Sequence, residues 1–487
     1  MLNDQSLFKD KCYLDGEWIG GEKTFDVLNP ATGEVLASAP DLGAAETRLA
    51  IDAAGVAFRG WSARTAEERS RILRRWFELI MENREDMARL ITAEMGKPFE
   101  EARGEVAYAA SFVEFYAEEA KRIHGEIIAN ARADTRALVV RQPIGVVGAI
   151  TPWNFPASMI ARKLAPAIAA GCSVVCKPAE DTPLVAFALA ELANRAGVPK
   201  GVMNIITGDA PTIGRELTSN PQVRAIAFTG STEVGKLLMK QAASTVKKVL
   251  LELGGNAPLI VFDDADLDLA VEKAVASKFR NAGQTCVCAN RILVQNDVHD
   301  AFAEKFAAEA AKLKVGHGME SATQIGPLIN RQAIEKVERH VADARARGGE
   351  VVIGGNRHAL GGCFYQPTVI ANATTAMLAV REEIFGPLAP LLRFASEEDA
   401  VTMANDTPFG LAAYFFSRDI ARCWRMAERL EYGMVGINET ISSNPNVPFG
   451  GVKESGLGRE GSHYGIEEFV EIKYMFMGGI APSSNAP

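Results

Sequence analysis

The sequence predicts an α/β protein built on parallel sheets and divided into at least two domains. Three observations carry this. Short apolar runs alternate with helical patterns in two separate stretches of the chain. The length of 487 residues exceeds what a single core holds, roughly 250–300 residues. Hydrophobic residues make up 48 % and charged residues 23 %, the balance of a folded globular chain and too apolar for disorder.

Taken in order, the segment to about residue 40 carries short strand-like runs and an early turn, NPATGEV. Residues 43–125 are rich in Ala, Glu, Arg and Leu at helical spacing. Residues 126–142 read as extended, with RALVVRQPIG as a strand candidate. The first alternation follows. GVVGAI is a strand candidate, a helix starts after Pro156, SVVCKP is the next strand, and another helix starts after Pro183. NIITG and AIAFTG continue it, with a helix behind them. A second alternation opens after LELGG with PLIVF, a helix, ILVQ and a further helix. The tail APSSNAP is expected to fray.

Several classes are disfavoured at once. The net charge of −9 and the lack of a basic run argue against nucleic acid or anionic membrane as the main partner. The first residues carry acids and no apolar h-region, so no signal peptide is expected. No stretch of about 18 uncharged apolar residues exists, so no membrane span is expected. Seven cysteines, Cys12, Cys172, Cys176, Cys286, Cys288, Cys363 and Cys423, form an odd set. They read as reduced thiols in a cytoplasmic protein, with Cys172 and Cys176 as small buried hydrophobes. The histidines make no close cluster with Cys or acids, so no metal site is expected.

Six motifs bear on chemistry. GSTEVGKL at 230–237 approaches an NTPase phosphate loop. Leu237 stands where a Mg²⁺-binding hydroxyl is needed, which argues against an NTPase. Gly230 and Ser231 still follow a strand and open a helix, a ready site for a pyrophosphate or simply a tight turn. GLGREG at 456–461 matches a dinucleotide fingerprint in spelling but lacks the strand–helix context and the later acid. Cys286 and Cys288 lie in NAGQTCVCANR, a loop of small and polar residues that favours an accessible thiol. Glu252 closes the strand-like run before GG, as a base or as a solvated strand end. Asn154 in TPWNFP can donate to an oxyanion or form a turn. Lys177 and Glu180 in KPAEDTP can meet a phosphate and a ribose diol, or be surface charges.

The ordered set TPWNFP, CKPAEDTP, FTGSTEVGK, LELGGNAP, GQTCVCANR, EEIFGP and PFGGVKESGLGREG resembles the aldehyde dehydrogenase superfamily over essentially the whole chain. FRNAGQTCVCANR, GPLAP and SGLGREGSHYGIEEFVEIKYM are most similar to the succinate-semialdehyde dehydrogenases within it. The resemblance implies that Cys286 is the nucleophile, that Glu252 activates the deacylating water, and that Asn154 and the Cys286 N–H form the oxyanion hole. It implies a coenzyme site with Lys177 and Glu180 on the adenosine ribose and Ser231, beside Gly230, on the pyrophosphate. Glu383 and Phe385, with Trp153, would meet the nicotinamide half. A carboxylate at Glu180 disfavours a 2′-phosphate, so NAD is expected ahead of NADP, although Lys177 could soften that repulsion. Arg162, Arg280 and Ser443 would hold a substrate carboxylate, or either arginine could be a structural ion pair.

Succinate semialdehyde is the implied substrate. The loop NETISSNPNVPFGG departs from the subfamily at Pro445 and Asn446, which keeps a longer or aromatic semialdehyde, such as glutarate semialdehyde, as a rival. A cysteine-dependent ester or thioester hydrolase is the rival of another class. Cys288 is either a spectator or the partner of Cys286 in a redox-switch disulfide. The fold implied is a Rossmann-like coenzyme domain over 1–125 and 143–253 and a catalytic α/β domain over 254–455. An oligomerisation segment and C-terminal tail over 126–142 and 456–487, combining 126–142 with a strand near 467–480, would give a homo-oligomer, dimer or tetramer.

Overall fold

The computed structural model describes residues 2–440 and 444–480. Two large sheets organise the chain. The first has eight strands, in the spatial order Gly456–Leu457, Lys248–Glu252, Val223–Thr229, Val146–Ile150, Ser173–Lys177, Met203–Ile205, Cys12–Leu14 and Glu17–Ile19. The five strands between Lys248–Glu252 and Met203–Ile205 run parallel. The Val146–Ile150, Ser173–Lys177 and Met203–Ile205 strands are near-continuous apolar runs buried on both faces, as a helix-covered parallel sheet requires. The chain steps outward from Val146–Ile150 through Ser173–Lys177 to Met203–Ile205, then returns to lay Val223–Thr229 on the other side. Strand order therefore reverses between Val146–Ile150 and Val223–Thr229. A crevice opens at the carboxyl ends of strands at such a point.

Helices cover this sheet for readable reasons. The Ala66–Glu82 helix starts on a capping box between Thr65 and Glu68. Its Trp76 and the preceding helix's Trp61 are fully buried. Their indole N–H groups donate to Leu189 O and Ile168 O, at 3.1 and 3.0 Å, which ties the N-terminal helices to those beside the sheet.

The second sheet has seven strands, in the order Glu350–Ile353, Thr368–Ala371, Leu388–Phe394, Arg291–Gln295, Pro258–Val261, Ala412–Phe416 and Met434–Ile437. It surrounds its own hydrophobic core, which begins at Ala257, while the other core draws mainly on residues up to Leu253.

The extended run expected near 126–142 is present. Arg136–Pro143 pairs antiparallel with Val470–Met477 over eight residues, and Glu126–Ile128 lies on its other side. The segment expected over 456–487 divides. Gly456–Leu457 pairs antiparallel with Leu251–Glu252, as an edge of the first sheet. Only the later strand joins the three-stranded sheet. The reason is local: Gly456 (φ 149°) lets the backbone approach Leu251 so closely that a Cβ would sit 2.0 Å from its carbonyl oxygen.

Candidate active site

Segments from both halves of the chain converge on one cleft of about 340 Å³ at the strand reversal. Its lining includes Trp153, Asn154, Gly230, Ser231, Cys286, Glu383 and Phe385. Seven of the residues singled out from sequence thus meet in one place.

One end of the cleft is made of backbone. The Val223–Thr229 strand ends, and Ser231 caps the Thr232–Ala242 helix by accepting from Val234 N at 3.3 Å. A Cβ on Gly230 would lie 2.4 Å from the Phe228 ring, so any other residue here would force that ring to shift. The first turn leaves N–H groups and the positive end of the helix dipole facing the cleft, which suits a pyrophosphate. Lys177 ends its strand with Nζ 2.6 Å from Glu180 Oε1. The lysine is buried and the carboxylate is half-exposed. Neither lines the cleft itself.

Trp153 and Phe385 form one wall, their rings edge to face at 5.4 Å. Phe385 is held at φ 55°, a left-handed conformation that costs a non-glycine residue roughly 1–3 kcal/mol and is met at sites that over-determine it. Glu383 accepts from Gly255 N at 2.9 Å, and burial raises its carboxyl above the usual range.

The other end is built from side chains and tight turns. After the Leu267–Phe279 helix, Asn281, Ala282 and Gly283 all have positive φ, at 53°, 55° and 75°. Gln284 then anchors the loop: its Oε1 accepts from Ile329 N and its carbonyl accepts from Asn154 Nδ2, at 2.9 and 3.1 Å. The double glycine of LELGG finds its reason here, since a Cβ on Gly255 would sit 2.4 Å from the Cys286 carbonyl oxygen. Cys286 is partly exposed to the cleft. Burial, then the charge of Glu383 and more weakly that of Glu252, push its thiol up to about 12 against the pull of Arg162.

Glu252 closes the Lys248–Glu252 strand, as its sequence position suggested. It is buried, and its Oε2 has no hydrogen-bond partner among the described residues. Burial and the neighbouring Glu460 raise its carboxyl well above the ordinary value, opposed by Arg162, Lys163 and Arg459. Glu460 was missed in the sequence. It sits in GLGREG, read there only for its glycines. Burial works against its charge, yet Arg162 and Lys163 hold its carboxyl below the usual range. Lys336, also missed, lines the cleft from the Arg331–Ala346 helix, whose surface-like pattern gave no signal.

Of the three residues expected to grip a substrate carboxylate, Arg162 and Arg280 are described, and they lie in different surroundings. Arg162 is 2 % exposed and already paired, with Nε 2.6 Å from Glu460 Oε2 and its guanidinium 4.0 Å above the Phe449 ring. That is the structural ion pair weighed as its alternative. Arg280 is exposed and lines a separate cavity of about 320 Å³ with Cys288. Ser443 lies outside the described residues. Cys288 itself is buried, accepts from Lys278 Nζ at 3.8 Å and donates to the Gly283 carbonyl at 3.5 Å. No disulfide forms among the described residues, and Cys286 and Cys288 line different cavities. No group of three or more candidate metal ligands occurs among the described residues.

The profile of the aldehyde dehydrogenase family matches residues 18–475. The chain belongs to the aldehyde dehydrogenase family. Two curated relatives of this aldehyde dehydrogenase are similar over nearly its full length. The glutarate-semialdehyde dehydrogenase of Pseudomonas aeruginosa is 58 % identical over 481 residues, 98 % of this chain and 100 % of the relative. The succinate-semialdehyde dehydrogenase [NADP(+)] of Escherichia coli is 59 % identical over 479 residues, 98 % and 99 % of the two chains. The crystal structure of a succinate-semialdehyde dehydrogenase from Burkholderia pseudomallei superposes with a TM-score of 0.97 at 60 % identity, covering 98 % of this chain and 99 % of that one. The aldehyde dehydrogenase fold expected from the motifs is the fold observed. Among the described residues no helix is long and apolar enough to cross a membrane.

Proposed function

We propose that this enzyme oxidises succinate semialdehyde to succinate with NAD or NADP, through a thioester on Cys286. The observation that carries the reading is the convergence of Cys286, Asn154 and Gly230–Ser231 on one cleft, with Glu252 behind it. Cys286 Sγ bonds to the aldehyde carbon and its proton leaves to a nearby base. The oxyanion is met by the Cys286 N–H and by the second N–H of Asn154 Nδ2, since the first is spent on Gln284. The coenzyme, when bound, supplies the hydride acceptor for that carbon. Glu252 takes a proton from water, the hydroxide adds to the thioester carbonyl, and the C–S bond breaks to release the acid and the Cys286 thiolate.

The residues suit a dinucleotide. Gly230 and Ser231 both line the cleft, and Ser231 opens a helix there. Lys177 and Glu180 would take the adenosine ribose, and Glu383 and Phe385, with Trp153, the nicotinamide half. A carboxylate at Glu180 favours NAD, and its partner Lys177 offsets part of its charge. The E. coli relative's name carries NADP(+), which favours use of both coenzymes.

An anionic far end on the aldehyde is supported by both relatives' names and by two arginines, Arg162, whose charge reaches Cys286, and Arg280, in the cavity lined by Thr285 and Val287 on either side of that cysteine. Arg280 is the more available of the two, and Ser443 is proposed with it. Arg162 would have to share its guanidinium with Glu460. The Pseudomonas aeruginosa relative favours glutarate semialdehyde as a second reading. Initial rates with succinate semialdehyde, glutarate semialdehyde, an uncharged aliphatic and an aromatic aldehyde, with NAD and NADP in parallel, test both. Preference for succinate semialdehyde that falls in Arg280→Ala supports the first reading. Preference for an uncharged aldehyde overturns it.

The exposed apolar strand residues Ile472, Tyr474 and Phe476 favour cover by a second copy, hence a homo-oligomer, which sedimentation would test. The free thiols suit a reducing compartment such as the cytoplasm. The domain limits proposed are those of the sequence reading, with 456–469 moved to the coenzyme half on its strand pairing.

A further inference from the structure

Behind the Asn154 turn lies a set of buried charges that the chemistry above does not use. Lys97 follows the Arg84–Met95 helix and is 1 % exposed. Its Nζ is 2.5 Å from Glu105 Oε2, donates to the Asn154 carbonyl at 2.8 Å, and lies 3.8 Å above the Phe155 ring. The other carboxylate oxygen of Glu105 accepts from Ala157 N and Ser158 N, at 2.9 and 3.3 Å, the first turn of the Pro156–Ala170 helix. Asn281 Nδ2 donates to the same Asn154 carbonyl at 3.0 Å. Every residue from Asn154 to Ser158 except Pro156 is thus gripped by Lys97 or Glu105.

A buried ion pair is a poor source of stability, because desolvation offsets the attraction. A pair of aliphatic side chains would serve the core as well. What it supplies that hydrophobes cannot is direction. An ammonium aimed at one carbonyl, and a carboxylate aimed at two N–H groups, fix where the Asn154 peptide lies. The side-chain amide of Asn154 inherits that placement, with Gln284 O as its outer reference.

We propose that Lys97, held by Glu105, is a positioning residue for the oxyanion donor Asn154. This rests on the dehydrogenase reading only in taking Asn154 as that donor. Misplacing a catalytic group by about 1 Å can cost on the order of 100-fold in rate. Lys97→Met should therefore lower kcat by roughly 10- to 100-fold, below the loss for removing an oxyanion donor outright. The coenzyme KM and the alkylation rate of Cys286 should stay unchanged.

The test is a double-mutant cycle on Lys97→Met and Asn154→Ala, read by hydrolysis of p-nitrophenyl acetate without coenzyme and by aldehyde oxidation with it. If Lys97 acts through Asn154, its substitution adds less than about twofold once Asn154 is gone. Full multiplication of the two losses, or a raised coenzyme KM with kcat intact, overturns the proposal. Should Lys97→Met fail to fold, Glu105→Gln takes its place in the cycle. It keeps an acceptor for the helix N–H groups while removing the negative charge that faces Lys97, and the same non-additivity is expected from a smaller loss. An ester hydrolase that obeys the cycle but oxidises no aldehyde leaves the positioning role standing and removes the dehydrogenase reading.

Discussion

At the Gly230 end of the cleft the protein presents backbone: a strand end, a glycine with no room for a methyl group, and a helix start capped by Ser231. At the Cys286 end it presents buried charge: Glu252, Glu460, Arg162 and Lys163 within one another's fields, and Lys97 with Glu105 behind Asn154. Backbone donors keep their charge distribution at any pH and change only if the chain moves. Buried carboxylates hold protonation states that depend on every neighbour. The first end should therefore be sensitive to volume and indifferent to pH, and the second the reverse.

The largest expected effect tests the charged end. Glu252→Gln keeps the shape and removes the proposed base, so turnover should fall by roughly 10²- to 10⁴-fold. The first turnover should be less affected, and mass spectrometry should find an acyl group on Cys286. Loss of the first turnover in equal measure would move Glu252 from deacylation to thiol activation.

Glu460→Gln should come next, and its effect is a displacement along the pH axis. The proposed base role of Glu252 requires its deprotonated form, and burial and Glu460 raise its carboxyl well above the usual value. Activity should thus rise with pH through that elevated value. Removing the negative charge of Glu460 favours the ionised form of Glu252, and freeing Arg162 and Lys163 acts in the same direction. The rising limb should move to lower pH. A limb that stays in place assigns the ionisation to another group, Cys286 being the first candidate.

Gly230→Ala probes the backbone end. The added methyl group would meet the Phe228 ring at 2.4 Å, and such overpacking costs typically about 1–3 kcal/mol. The coenzyme KM should rise by roughly tenfold, on the scale of 1.4 kcal/mol per decade, while the pH profile of kcat keeps its shape. A changed pH profile would break the distinction between the two ends.

The smallest effect belongs to Glu180→Ala. Its carboxylate is 46 % exposed and 2.6 Å from Lys177, so solvent and the lysine both weaken its field. The ratio of kcat/KM with NADP to that with NAD should rise by a few-fold. No change would mean that Lys177 already cancels the carboxylate.

Much of the fold was legible because its signals are local. The apolar runs from Val146 to Val261 became parallel strands, since only a doubly covered sheet buries them. Glu252 at a strand end and Ser231 at a helix start sit where their neighbours in sequence place them. Glu460 was invisible because its meaning comes from Lys163 and Arg162, about 300 residues earlier in the chain. Lys97 was invisible for a similar reason: it reads as a polar residue in a helical region, and only the packing of the Phe99–Glu119 helix on the Pro156–Ala170 helix buries it.

By itself the sequence determined the class of fold, the loop that carries Cys286, the glycines that let chain segments touch, and the family. These depend on residue type and near neighbours. Tertiary structure alone decided which charges are buried, which arginine is already paired, and that Cys286 and Cys288 line separate cavities. Desolvation and Coulomb energy depend on what surrounds a group in space, and that is fixed only when segments hundreds of residues apart have packed.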